Sequence, residues 1–259
     1  MWGLQSCFSL IMLSLSFDSA HQNFLQDNDL PYVDYNWDML ILSQHWPETS
    51  CKMWKYDGVD HHCVFPLNRR WTVHGIWPSN IDRDCPAYCN ETWIFDPQEI
   101  EPIKEELNQV WTNIFKETKP TSFWAHEWLK HGTCCSPIES LNSQYKYFKK
   151  GIDWSRQYPV WEILSVANIL PSDTRELTAE ELTVAVKAYT NKLPTVACWV
   201  NNGIQYLDEV RICFDMQLRV IDCTIVVREA CDAAKSIIYP IQKPNGLPVH
   251  SRTVHTVTV

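Results

Sequence analysis

The chain has 259 residues, 45% of them hydrophobic and 20% charged, a balance that supports a packed core and excludes disordered and collagen-like classes. Its formal net charge of −9 excludes a broad basic face for duplex nucleic acid, so any polyanion must be met locally, in a cleft. Two counts stand out, eleven cysteines and thirteen tryptophans against seven glycines.

Residues Trp2 to Phe17 are almost all apolar or small and run into Asp18-Ser19-Ala20, then polar His21-Gln22-Asn23. The pattern predicts a secretory signal peptide over residues 1–20, too short for a membrane span, and no later window is apolar for long enough to cross a bilayer. Residues 21–259 read as a single domain, with a core over about 35–235 and a loosely held tail over 236–259. Loss of the leader removes Cys7 and leaves an even set of cysteines, which behind a signal peptide implies disulfides in an oxidising compartment. The spacings do not supply the paired knuckles of a structural zinc site. Asn90-Glu91-Thr92 is a glycan acceptor sequence among turn-forming residues.

In chain order, Met39-Leu40-Ile41-Leu42 predicts a buried strand ending at Gln44-His45-Trp46-Pro47, and Trp71 to Pro78 alternates as a second strand. Asp96-Pro97-Gln98-Glu99 caps a predicted helix carrying Ile100, Ile103, Leu107, Val110 and Trp111. Thr121 or Ser122 caps the next, from Phe123 to His131 with a stop at Gly132. A third helical region spans Leu141 to Leu164 with a break near Gly151, and Thr178-Ala179-Glu180-Glu181 caps a fourth through Tyr189. Beyond Pro194 the pattern turns to strands, Thr195 to Val200, Gln205 to Phe214 and Gln217 to Val227, punctuated by Asn201-Asn202-Gly203. Strands, helices, then strands predict an α+β domain, a central antiparallel sheet packed with several helices.

The segment Phe123-Trp124-Ala125-His126-Glu127-Trp128-Leu129-Lys130-His131 gathers two His, a Glu and a Lys. With His126 at zero on a helical wheel, Lys130 falls at about 40°, Glu127 at about 100° and His131 at about 140°, so all four ionisable groups share one side. A solvated helix face would look the same. A zinc peptidase would need its second histidine four residues after His126, where Lys130 stands, so a metal is disfavoured and no cofactor is expected.

Val73-His74-Gly75-Ile76-Trp77-Pro78, taken with His126-Glu127-Trp128-Leu129-Lys130-His131-Gly132-Thr133-Cys134, closely resembles the paired active-site segments of the T2 family of secreted acid ribonucleases. Gln44-His45-Trp46-Pro47 resembles that family's N-terminal strand, and the likeness runs over roughly residues 37–231. The resemblance implies an endoribonuclease that cleaves single-stranded RNA through its own 2′-OH. His131 would be general base, His74 general acid, Lys130 and Glu127 stabilisers of the transition state, and His126 a phosphate ligand. Such chemistry needs two imidazoles that titrate near the working pH and positive charge at the phosphorane. It needs no metal, leaves DNA uncut and implies an optimum near about pH 5.

The resemblance further implies that Trp77 stacks on one base, while Gln44 and Phe123 line a second pocket. Ser79 stands where several members carry an Asp that contacts the first base. The family's disulfides map onto Cys51–Cys63, Cys89–Cys134, Cys198–Cys231 and Cys213–Cys223, leaving Cys85 and Cys135 for a fifth bridge. A secreted, extracellular or lysosomal monomer is the expectation, its partner single-stranded RNA. A secreted glycoprotein with a signalling role, in which RNA cleavage is secondary, needs the same fold and stays open.

Overall fold

A computed structural model describes residues 37–58, 60–66, 70–81, 85–224 and 230–242; the expected signal peptide lies outside them, as does the end of the tail. Strand β1 (Met39–His45) lies between β2 (Thr72–Ser79) and β5 (Ile204–Phe214) in a seven-stranded sheet. The sheet continues from β5 to β7 (Ile237–Tyr239) and β3 (Ser172–Leu177), while β4 (Thr195–Asn201) and β6 (Val220–Ile221) also pair with β5. Every pairing is antiparallel except β5 with β7. The helices are α1 (Pro47–Asp57), α2 (Lys104–Val110), α3 (Ser122–Lys130), α4 (Gln144–Gln157), α5 (Val160–Val166) and α6 (Ala179–Thr190).

The helices depart from the sequence expectation where proline and packing intervene. Pro102 has no N–H for an i→i−4 bond, and the stretch before it forms turns and a 3₁₀ turn at Glu101–Ile103 before α2 begins. Gly151 does not break α4: a Cβ there would lie 2.2 Å from the Trp111 ring, so the glycine makes room for an indole. The break falls instead at Tyr158-Pro159, where Pro159 precedes α5. Thr178 forms the full capping box with Glu181 at the start of α6. Asn202 and Gly203, at φ of 50° and 80°, turn β4 into β5.

The expected loose tail starts in the sheet. Tyr239 is buried, its hydroxyl accepts the Trp71 indole N–H at 2.8 Å, and the Pro240 carbonyl accepts that of Trp46 at 2.8 Å. The tryptophan excess has a matching explanation. Trp37, Trp111, Trp124 and Trp128 likewise donate their indole N–H to backbone carbonyls of other elements, so these rings are directional fasteners as well as core volume.

A strand presents alternate residues to one face, yet Val73 and Ile76, three apart, both join the main core, as do Leu207 and Val210. Two bulges account for this. Ser43 pairs with Gly75 and Gln44 with Val73, leaving His74 as the extra residue of β2. Ala197 pairs with Glu209 and Cys198 with Leu207, leaving Asp208 as the extra residue of β5. Each bulge falls at a polar residue, and together they bring His74 and Glu209 into contact beside the smaller apolar cluster of Met39, Ile41, Trp77 and Cys213.

Candidate active site

His74, at the bulge of β2, is held from several directions. Its Nδ1 lies 2.5 Å from Oε1 of Glu209 and its Nε2 3.9 Å from Oε1 of Glu127. The ring stacks on His45 with centroids 5.2 Å apart and meets Trp77 edge-on at 4.9 Å. Its carbonyl accepts the Trp111 indole N–H at 3.0 Å, and the Trp111 carbonyl in turn accepts that of Trp124 at 2.8 Å. Trp111 therefore ties the strand of His74 to α3.

Along α3, Trp124 and Trp128 turn into the main core while Glu127 reaches Trp77, whose indole N–H donates to Oε2 at 2.9 Å. Gly75 makes this contact possible, because a Cβ there would sit 2.1 Å from Trp77 Nε1 and 2.2 Å from Glu127 Oε2. His131 is the C-cap of α3, its N–H bonded to the Glu127 carbonyl at 3.0 Å and its ring 5.5 Å from that of Trp77. At Gly132 a Cβ would lie 2.3 Å from Trp128, so glycine lets the chain turn across that indole. The Cys89–Cys134 disulfide and a 2.9 Å bond from Tyr88 N–H to the Lys130 carbonyl fasten the same end.

The two histidines have opposite electrostatic settings. Burial, reinforced by the Lys130 and His126 charges, holds the His131 pKa well below its ordinary 6.5, and its Nδ1 has no hydrogen-bond partner among the described residues. For His74 burial also opposes the charge, but Glu209, through charge and hydrogen bond, with Glu127 and Asp208, outweighs it and raises the pKa. In mildly acidic water His131 is thus a neutral base and His74 a protonated acid. His126 is held at about 4 by burial and then Lys130, and His45 at about 3 by burial and then His74. The positive charge of the site therefore rests on Lys130 and His74, and the other histidines add to it only in stronger acid. Burial raises the Glu127 pKa against the pull of His74 and the Trp77 hydrogen bond.

Of the residues singled out in the sequence, His74, Trp77, Glu127 and His131 form one contact cluster, with His126 and Lys130 coupled to it by charge. Phe123 lies beside it, 5.7 Å from the His74 ring and 6.3 Å from the His45 ring. Gln44 does not join. Its amide donates to the Tyr158 carbonyl at 2.8 Å, because alternation along β1 turns it towards the main core and turns His45 towards Phe123. Trp77 is 2% exposed, so in this conformation it offers no open face to a base. Ser79 is fully buried and donates to the Trp77 carbonyl at 3.2 Å.

Among the described residues four disulfides join both partners, Cys51–Cys63, Cys89–Cys134, Cys198–Cys231 and Cys213–Cys223, and Cys85 is disulfide-bonded as well. The expected Cys85–Cys135 bridge is not formed. Cys135 is a free thiol packed in the main core, bonded to the His131 carbonyl at 3.6 Å, and burial pushes its pKa up.

Sequence reasoning missed His45, Glu209 and Arg211. Glu209 bonds His74 through Oε1 and Arg211 Nε through Oε2 at 2.7 Å, and both are buried. The one available signal was a Glu and an Arg two apart, set among the apolar Val210, Ile212, Cys213 and Phe214 of one strand.

Residues 37–223 match the model of the ribonuclease T2 family. Among known proteins, ribonuclease T2 of Danio rerio is 35% identical over 191 residues, covering 72% of this chain and 73% of its own length. Ribonuclease Oy of Magallana gigas is 31% identical over 221 residues, 83% of this chain and 98% of its own. The crystal structure of human RNase T2 superposes with a TM-score of 0.66 at 26% identity, covering 79% of this chain and 98% of that one. RNase NT, solved in complex with 5′-AMP, gives 0.67 at 25% identity with the same coverage, 79% and 98%.

Proposed function

The chain belongs to the ribonuclease T2 family and is an endoribonuclease of that type, and from that premise we propose that it cleaves single-stranded RNA by 2′-OH transphosphorylation without a metal. His131 takes the 2′-OH proton, the 2′-oxygen attacks phosphorus, and His74 protonates the departing 5′-oxygen, giving a 2′,3′-cyclic phosphate. Lys130 and the Glu127 region stabilise the charge of the phosphorane. The observation that carries the reading is the opposed setting of the two imidazoles, one buried with no ionic partner among the described residues, the other bonded to Glu209. A base with a depressed pKa and an acid with a raised one are both in working form over a window that extends into acid, which supports activity at acidic pH. DNA lacks the nucleophile and is not cut.

His45 and Phe123 are the residues we assign to the second base pocket in place of Gln44. The disulfides among the described residues support work in a secretory or lysosomal compartment. The Asn90 carboxamide, turned back on Thr92 N–H at 3.0 Å in an exposed turn, suits a glycan there. The deciding experiment is incubation with single-stranded RNA in excess chelator at about pH 5. Cyclic-phosphate ends that accumulate and then hydrolyse are the expected result. An uncut RNA, or cleavage that returns only with added metal, refutes the proposal.

A further inference from the structure

Glu209 has both carboxylate oxygens committed, Oε1 to His74 Nδ1 and Oε2 to the Arg211 guanidinium, whose Nε and Nη2 lie 2.7 and 2.5 Å away. Glu209 and Arg211 are each 3% exposed, so neither charge has water to fall back on. The bulge at Asp208 sets where Glu209 points, and the bulge at His74 brings the imidazole to meet it.

We propose that Glu209, braced by Arg211, is the positioning residue for the general acid: it holds the His74 ring by Nδ1–H and so aims Nε2–H at the leaving oxygen. The inference rests on His74 being that acid. As the P–O5′ bond breaks, its electron pair goes to O5′ and the Nε2 proton follows. The imidazole left behind is neutral and still donates Nδ1–H to Glu209, so ring orientation survives the transfer. The titratable groups facing His74 are Glu209 and Asp208 from β5, Glu127 and His126 from α3 and His131 at its C-cap, with His45 of β1 held uncharged against its ring. Removing the Glu209 charge leaves His74 a weaker hold on its proton.

The test uses two substrates, a dinucleoside phosphate, whose 5′-alkoxide must be protonated to leave, and a uridine 3′-nitrophenyl phosphate, whose leaving group needs no acid. Glu209→Gln, which keeps an acceptor for Nδ1–H without the charge, is expected to lower kcat on the dinucleoside phosphate by about 10- to 100-fold with KM nearly unchanged. The alkaline limb of its pH profile should move down by about one unit. On the aryl ester the same variant should stay within about threefold of the parent. Equal losses on both substrates, or an unmoved alkaline limb, overturn the proposal. His74→Ala run in parallel separates the two levels. If it too loses equally on both substrates, His74 is not the acid and the premise fails; if it is spared on the aryl ester while Glu209→Gln is not, the positioning role alone fails. Imidazole ¹⁵N spectra of the unaltered protein give a reading that no misfolded variant can confound: neutral His74 must be protonated at Nδ1, and a proton on Nε2 overturns the assignment.

Discussion

Gly75→Ala is the smallest change that should disable the site. The added methyl would lie 2.1 Å from Trp77 Nε1 and 2.2 Å from Glu127 Oε2, atoms that are themselves joined at 2.9 Å. Neither partner can swing aside freely, since Trp77 is 2% and Glu127 1% exposed, with Arg211 over the indole at 5.5 Å. The bond must break, and one to a charged group is worth about 1.5–3 kcal/mol, to which overpacking adds about 1–3 kcal/mol. We expect urea unfolding to show a loss of about 2.5–6 kcal/mol. A displaced Glu127 should lower kcat/KM on a dinucleoside phosphate by about 10- to 100-fold, the rate equivalent of the lost hydrogen bond. Gly203→Ala is the control: its Cβ meets nothing within 4 Å, so only its φ of 80° is strained and activity should be unchanged. A Gly75→Ala protein within about 0.5 kcal/mol and twofold of the parent would refute the claim that this glycine serves the Trp77–Glu127 contact.

Trp111→Phe keeps most of the ring in the core but removes the N–H that holds the His74 carbonyl. It should cost about 1–3 kcal/mol in chemical denaturation for the orphaned acceptor, with a fall in kcat larger than any rise in KM. Cys135 should resist thiol reagents in the native protein and react once unfolded, because it is buried and its pKa is raised; fast labelling of the native state at neutral pH contradicts the packing described. His45, depressed from 6.5 to about 3, binds fewer protons folded than unfolded across that interval. Its contribution to stability is thus intact above about pH 6.5 and lost as pH falls towards about 3, at about 1.4 kcal/mol per unit. Relative to the parent, His45→Gln should gain stability as pH is lowered from about 6.5, and a pH-independent difference in urea midpoints would count against the buried neutral ring.

How much of this could be read from the chain depends on how local each cause is. The α3 motif was legible because its residues are neighbours on one helix, and the capping box of Thr178 and Glu181 because four residues write it in full. Strand β7 was not, since Ile237 to Tyr239 carries no alternation long enough to register and gains its place from Trp71 and Trp46, distant in sequence. Strand β3 was missed because its residues are mostly exposed and hold no apolar period. The cysteine count alone could not give the pairing, because Cys135 follows Cys134 but packs into the core as a free thiol, while Cys85 is disulfide-bonded elsewhere.

The deepest gap concerns the bulges, and it explains why half of the site was invisible. A motif search treats β2 as a string in which His74 and Gly75 are consecutive, and a strand search treats β5 as an alternation in which Glu209 and Arg211 belong to one face. What makes them a site is that each strand carries one residue more than its neighbour, at His74 and at Asp208. An inserted residue reverses the facing of everything beyond it. Had either strand run without its bulge, alternation from Val73 would have kept His74 off the core but turned Ile76 out of it, and alternation from Leu207 would have turned Glu209 into it. The acid and the carboxylate that holds it meet because two irregularities, each unremarkable in its own strand, fall on either side of β1. A bulge is set by how a strand pairs, so it cannot be read from that strand alone.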